Sequence, residues 1–144
     1  MPPVIVDTNV VVAGLLTARA DSPVARVLDG MLAATFPFAI SDALLAEYRT
    51  VLRRPMLRKA HGLTLDELDM IVLDLAQHGV VIAPVPAAPA PDPGDQHLWE
   101  LLAAREDLLL ITGEKKLQRD RAMGHRIVTP AAFVERWLRS NSSC

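Results

Sequence analysis

The chain has 144 residues, 51% of them hydrophobic but only 4% aromatic, with 17 acidic against 15 basic side chains and a formal net charge of −2. A chain of this length buries about 70% of its unfolded surface, so residues 1–139 are expected to form one domain with an aliphatic core and residues 140–144 a C-terminal tail, and disordered or coiled-coil architectures are excluded. The near-balanced charge argues against gripping nucleic acid through overall basicity and leaves room only for local basic patches.

A short β-branched strand is predicted over 4–6, and Asp7-Thr8-Asn9 follows it inside an aliphatic run, where an unpaired buried charge is costly. Two readings compete. Asp7 is an N-cap whose carboxylate accepts the first free amides of the next helix, or it is held at the strand's carboxyl end because a cation sits there. Ser22-Pro23 marks the next helix start, a capping hydroxyl before a proline suited to the first helical position. A second strand is predicted over 36–40. From Ser41 the residues Leu44, Leu45, Tyr48, Val51 and Leu52 make an apolar stripe at helical spacing, which Pro55 stops. Glu47 lies at the edge of that stripe, as a solvated boundary residue or as a functional one.

Arg49, Arg53, Arg54, Arg58 and Lys59 follow Glu47; they contact phosphates or form an ordinary solvated face, with Arg49 and Arg53 as RNA-contact candidates. Thr64 to Glu67 is a capping box and Gly79 ends its helix. After a third strand over 80–83, Pro84, Pro86, Pro89, Pro91 and Pro93 keep the chain extended up to Asp92-Pro93-Gly94-Asp95. Local structure explains Asp92 as an N-cap and Asp95 as a partner of the helix dipole. Asp95 nevertheless shares a face with Leu98 and Leu102, which should be buried, and a carboxylate there needs a partner. His97 is placed on the opposite face, and neither it nor His61, His78 or His125 has metal-ligand spacing. Trp99 either packs or borders a substrate.

A fourth strand over 108–111 runs into Thr112-Gly113-Glu114-Lys115-Lys116, another acid just past a strand end, with Lys115 and Lys116 as further RNA-contact candidates. A fifth strand over 126–128 precedes Thr129-Pro130, a helix start. The single cysteine, Cys144, allows no intramolecular disulfide, which favours a reducing, cytoplasmic compartment. No apolar run approaches the roughly 20 residues of a membrane span, so no membrane association is expected.

The predicted order is βαβα throughout, and Asp7, Glu47, Asp95 and Glu114, with Asp92 nearby, all fall at strand ends or helix starts, where an open α/β sheet places its ligand crevice. Converging carboxylates repel unless a divalent cation neutralises them. Oxygen-only donors suit Mg2+ or Mn2+ better than zinc, and such ions stabilise the charge that develops when a phosphodiester is displaced in line. Phosphodiester hydrolysis is the reaction class this points to. Dinucleotide-binding and Walker loops are absent, as is a serine nucleophile elbow.

The opening strand with Asp7-Thr8-Asn9, Ser41 to Glu47, Asp92-Pro93-Gly94-Asp95 and Thr112-Gly113-Glu114 recur in this order in PIN domains. Over residues 4 to 137 the chain resembles VapC-like ribonucleases, the toxin components of bacterial toxin–antitoxin pairs. The resemblance implies a PIN-like three-layer α/β fold with a central parallel sheet of about five short strands flanked by helices. It also implies a Mg2+ or Mn2+ site, cleavage of single-stranded RNA, a cognate antitoxin protein and a homodimer. Carried over, Asp7, Glu47 and Asp95 are metal ligands and Asp92 matches an additional acid; with Glu114 they complete the catalytic and metal-binding set. Asn9 or Thr8 orders Asp7, and Ser41 and Thr112 support the site. The family's fourth acid is usually Asp. Glu114, with its longer arm, either reaches one ion through water or leaves a second ion weakly bound. A PIN-like module that binds RNA or protein without catalysis is the alternative.

Overall fold

A computed structural model describes residues 1–138; the tail expected at 140–144, with Cys144, lies outside the described residues. The elements run β1 (Val4–Val6), α1 (Thr8–Leu16), α2 (Pro23–Leu32), β2 (Ala39–Ile40), α3 (Asp42–Leu52), α4 (Pro55–His61), α5 (Leu65–His78), β3 (Val80–Val81), α6 (Gln96–Ala104), β4 (Leu109–Ile111), α7 (Lys115–Gln118), β5 (Ile127–Val128) and α8 (Pro130–Phe133). Most helix starts are built as their sequences suggest. The Ser22, Ser41 and Thr129 hydroxyls accept from the amides of Ala25, Leu44 and Ala132 at 3.3, 3.2 and 3.1 Å, and Thr64 and Glu67 close a reciprocal capping box. Pro55 both ends α3 and begins α4, a short helix that the apolar pattern leaves unmarked.

All strand pairs are parallel. β1 pairs with β4 and β4 with β5 in one three-stranded sheet, while β2 and β3 form a separate two-stranded ladder. A single bridge between Val4 and Phe38 sets β2 beside β1. The expectation of one sheet of about five strands is therefore corrected to a three-stranded sheet with a two-stranded neighbour. Pro37 interrupts the predicted 36–40 strand and has no amide to continue a ladder, although its carbonyl accepts from the Val4 amide at 3.1 Å.

β1 thus has β4 on one side and the β2 bridge on the other, which makes its carboxyl end the switch point of the parallel strands, the place where such folds open a crevice. The β1 residues are buried, and Tyr48, Trp99, Phe38 and Phe133 are the largest side chains of the core around them. Trp99 is one of those packing residues. Helix α1 lies against α2 at Gly14, where an added Cβ would stand 2.8 Å from the Val24 carbonyl oxygen, so only glycine permits that approach. Among the described residues no helix is long and apolar enough to cross a membrane.

Candidate active site

Asp7 follows β1 directly, and its amide continues the ladder by donating to the Ile111 carbonyl at 3.0 Å. Its backbone takes the N-cap position of α1, yet its side chain makes no capping hydrogen bond. Instead Oδ2 accepts from the Thr112 hydroxyl at 2.8 Å, and Thr112, fully buried at the end of β4, takes the Glu114 amide on the same oxygen at 3.1 Å. The hydroxyl has one proton, which goes to Asp7, so two strand ends hold one carboxylate. Burial raises the Asp7 pKa first and foremost; the Thr112 hydroxyl and the Thr8 amide partly offset this, and Glu47 and Glu114 raise it further.

Glu47 reaches the same place from α3. Leu44, Tyr48 and Leu52 bury the neighbouring face of that helix, and Ser41 fixes its start. Tyr48 is fully buried, and its hydroxyl donates to the Val6 carbonyl at 2.5 Å, which ties α3 to the strand end bearing Asp7. Desolvation, with Asp7 and Glu47 nearby, pushes the phenol well above its ordinary pKa, so it stays a donor.

Asp95 ends a tight turn, Pro93–Asp95, that leads into α6. Half-buried, with the carboxylates of Asp7, Glu114, Asp92 and Glu47 around it, it is pushed up to about 6, burial being the largest cause. Asp92 is exposed, and its Oδ1 accepts from the Gly94 amide at 3.0 Å. It caps the turn and lies outside the cleft lining. Glu114 occupies the N-cap position of α7 without a capping bond.

Asp7, Glu47, Asp95 and Glu114 line one open cleft of about 510 Å3, together with Thr8 and Asn9. The Thr8 hydroxyl is buried without a hydrogen-bond partner. Of the predicted supporting residues, Thr8 and Asn9 border the cleft, Thr112 acts through Asp7, and Ser41 serves as the cap of the helix that carries Glu47. Arg49 and Arg53 turn the other way: both meet Asp69 on α5, at 3.5 and 2.9 Å. Lys115 and Lys116 are exposed at the start of α7, beyond the lining.

The placement of His97 needs correction. Read as facing away from the site, it instead contacts the Glu47 carboxylate through Nε2. The reading assumed α-helical phase from Asp95, whereas that residue closes a 3-10 turn with φ −100° and ψ 5°, and α6 begins only at Gln96. Buried Leu101, four residues after His97, was the available signal. Arg54, which the sequence leaves open between a phosphate contact and a solvated face, lines the cleft, while the arginines on either flank do not.

The donor chemistry fits a hard divalent cation, being carboxylates with an unpartnered hydroxyl beside them. Among the described residues, however, no group of three or more His, Cys, Asp or Glu side chains is drawn close enough to hold an ion as placed. Glu47 is engaged by His97 and Asp7 by Thr112. A family model described as PIN domain matches residues 3–116, a span that contains all four acids. No curated protein matches the chain.

Proposed function

Because the chain belongs to the PIN-domain family, whose fold is of nuclease type, we propose that it is a Mg2+- or Mn2+-dependent endoribonuclease that cleaves single-stranded RNA. The observation that carries this reading is the gathering of Asp7, Glu47, Asp95 and Glu114 around one cleft at the carboxyl end of β1. Asp7, Glu47 and Asp95 would hold the cation, with Glu114 at the edge of the set and Asp92 adding negative charge from outside. When bound, the cation supplies positive charge that neutralises these carboxylates and the charge developing on the scissile phosphodiester.

The chain's own groups do the rest. Thr112 and Tyr48 fix where Asp7 and α3 stand, and His97 lies against Glu47. Burial and the neighbouring carboxylates raise the pKa of Asp7 and Asp95 above the ordinary carboxylate value, a penalty that a bound cation would relieve. The open cleft admits a flexible chain. In the toxin–antitoxin reading, a cognate antitoxin silences the cytoplasmic enzyme by placing an Arg or Lys where the cation would sit, and the working unit is a homodimer.

The test is cleavage of a labelled single-stranded RNA with Mn2+ and with EDTA. Cleavage with Mn2+, none with EDTA and none by Asp7→Asn is expected; activity that survives EDTA or that substitution would sink the proposal. A second reading, a PIN-like module that binds RNA or a protein without cutting, draws support from the absence of a closed ligand group and from Glu114 in place of Asp. Calorimetric titration separates the two, since the inactive module would take up no Mn2+.

A further inference from the structure

The cleft continues past the acids. Val12 and Leu16 of α1, Val51 of α3 and Leu57 of α4 line its other half, and Arg54 stands at the α3–α4 junction. Val51 follows Glu47 by four residues on one face of α3, so the turn that brings the acid into the cleft brings Val51 with it. Arg54 lies past the end of that helix, in extended conformation (φ −60°, ψ 135°) as the N-cap of α4, and lines the same cleft from there. Arg49 and Arg53, on the neighbouring face, are neutralised by Asp69. No acidic side chain pairs with Arg54 among the described residues. Leu16 keeps 38% of its surface exposed.

A guanidinium without a counter-ion, beside an apolar wall and next to a carboxylate-lined end, has the chemistry to take one nucleotide: the fork for a phosphate, the wall for the face of a base. The whole cleft, acids included, measures about 510 Å3, in the range of small-molecule sites. Resting on the ribonuclease reading, we infer that this half of the cleft is a nucleotide subsite. Arg54 holds a phosphate next to the one cut, and Val12, Leu16, Val51 and Leu57 cover an unstacked base. A base can enter only by leaving its helix stack, so the subsite selects single strands. Contact with the face of a base is indifferent to its hydrogen-bonding edge, so the subsite selects no sequence.

The test measures binding of a fluorescent ten-nucleotide RNA by anisotropy in EDTA over a salt series, with the full chain and with variants whose folding is checked by circular dichroism. Arg54→Ala should weaken binding about fivefold to tenfold and reduce the slope of log K against log salt by about 0.7, one single-strand phosphate. Arg58→Ala, exposed on α4 outside the cleft, should change both by less than about twofold. Placing one abasic nucleotide at successive positions should reveal a single position where the wild type loses about fivefold, a loss absent in Leu16→Ser. With Mn2+, Arg54→Ala should raise KM and leave kcat. Equal effects of Arg54→Ala and Arg58→Ala, or a flat abasic scan, would overturn the subsite. A wild type that binds RNA in this pattern without cutting it removes the ribonuclease reading alone, whereas a wild type that does not bind removes both.

Discussion

The β1–α1 junction and the turn before α6 carry the same local signature, an aspartate ahead of a helical turn, and the fold uses them differently. Asp92 stays exposed and its carboxylate caps the Gly94 amide. Asp7 occupies the same backbone position at α1, but it is 4% exposed and its side chain turns to the Thr112 hydroxyl at the end of another strand. In water a capping bond is the better of the few bonds a short acid can make. At a buried strand end the nearest strong donor belongs to the neighbouring strand, and Asp7 lines the cleft. Capping is a local property; availability for a cation depends on what surrounds the cap.

RNA cleavage breaks the comparison most sharply. Asp7→Asn should lower it more than about 100-fold, beyond the loss typical of a supporting partner, while Asp92→Asn, equally conservative, should stay within about 10-fold because it removes only a distant charge. A loss at position 92 equal to that at position 7 in the same gel assay would make the two acids equivalent and end the distinction.

Thr112→Val comes next. It keeps the shape of the buried site and removes the donor to Asp7, so Mn2+ affinity measured by calorimetry should fall about 10-fold to 100-fold. Unchanged affinity would mean that the hydroxyl packs without positioning.

Melting temperatures in EDTA should then give opposite signs. Asp92→Ala loses a cap and about 1 kcal/mol, a decrease of about 4 °C for a domain of this size. Asp7→Asn keeps an acceptor for Thr112 and removes a desolvated charge, so it should melt higher than the wild type without metal. Adding Mn2+ should stabilise the wild type and not this variant.

The smallest effect is the pH dependence. Asp95, at about 6 in the fold against 3.8 unperturbed, binds its proton more tightly folded than unfolded, and Asp7 is shifted in the same direction. The Asp95 penalty is complete above about pH 6 and fades as pH falls toward 3.8, and the Asp7 shift has the same sign, so the metal-free protein should melt higher at pH 5.5 than at pH 7.5. Asp95→Asn should flatten that difference, and an unaltered slope in the variant would assign it to other groups.

Much of the architecture was open to a local reading because its causes are local. The caps at Ser22, Ser41, Thr64 and Thr129 each depend on a hydroxyl and an amide three residues on, and the buried strand at Leu109–Ile111 needs only its own aliphatic run. Strand pairing was less legible. A proline at position 37 and strands of two residues at β2 and β3 broke the ladder, and no periodicity reports where a ladder stops.

At the site, the sequence alone determined which carboxylates fall at strand ends and helix starts, since strand and helix boundaries follow from side-chain chemistry within a few residues. The tertiary structure decided the rest: that Thr112 takes Asp7 out of its cap, that His97 meets Glu47, and that of the arginines after Glu47 only Arg54 faces the cleft while Arg49 and Arg53 go to Asp69. These outcomes depend on the phase of a 3-10 turn, on the junction between α3 and α4, and on which strand lies beside β1. Each is a relation between segments far apart in the chain, settled by packing and by the need of every buried polar group to find a partner.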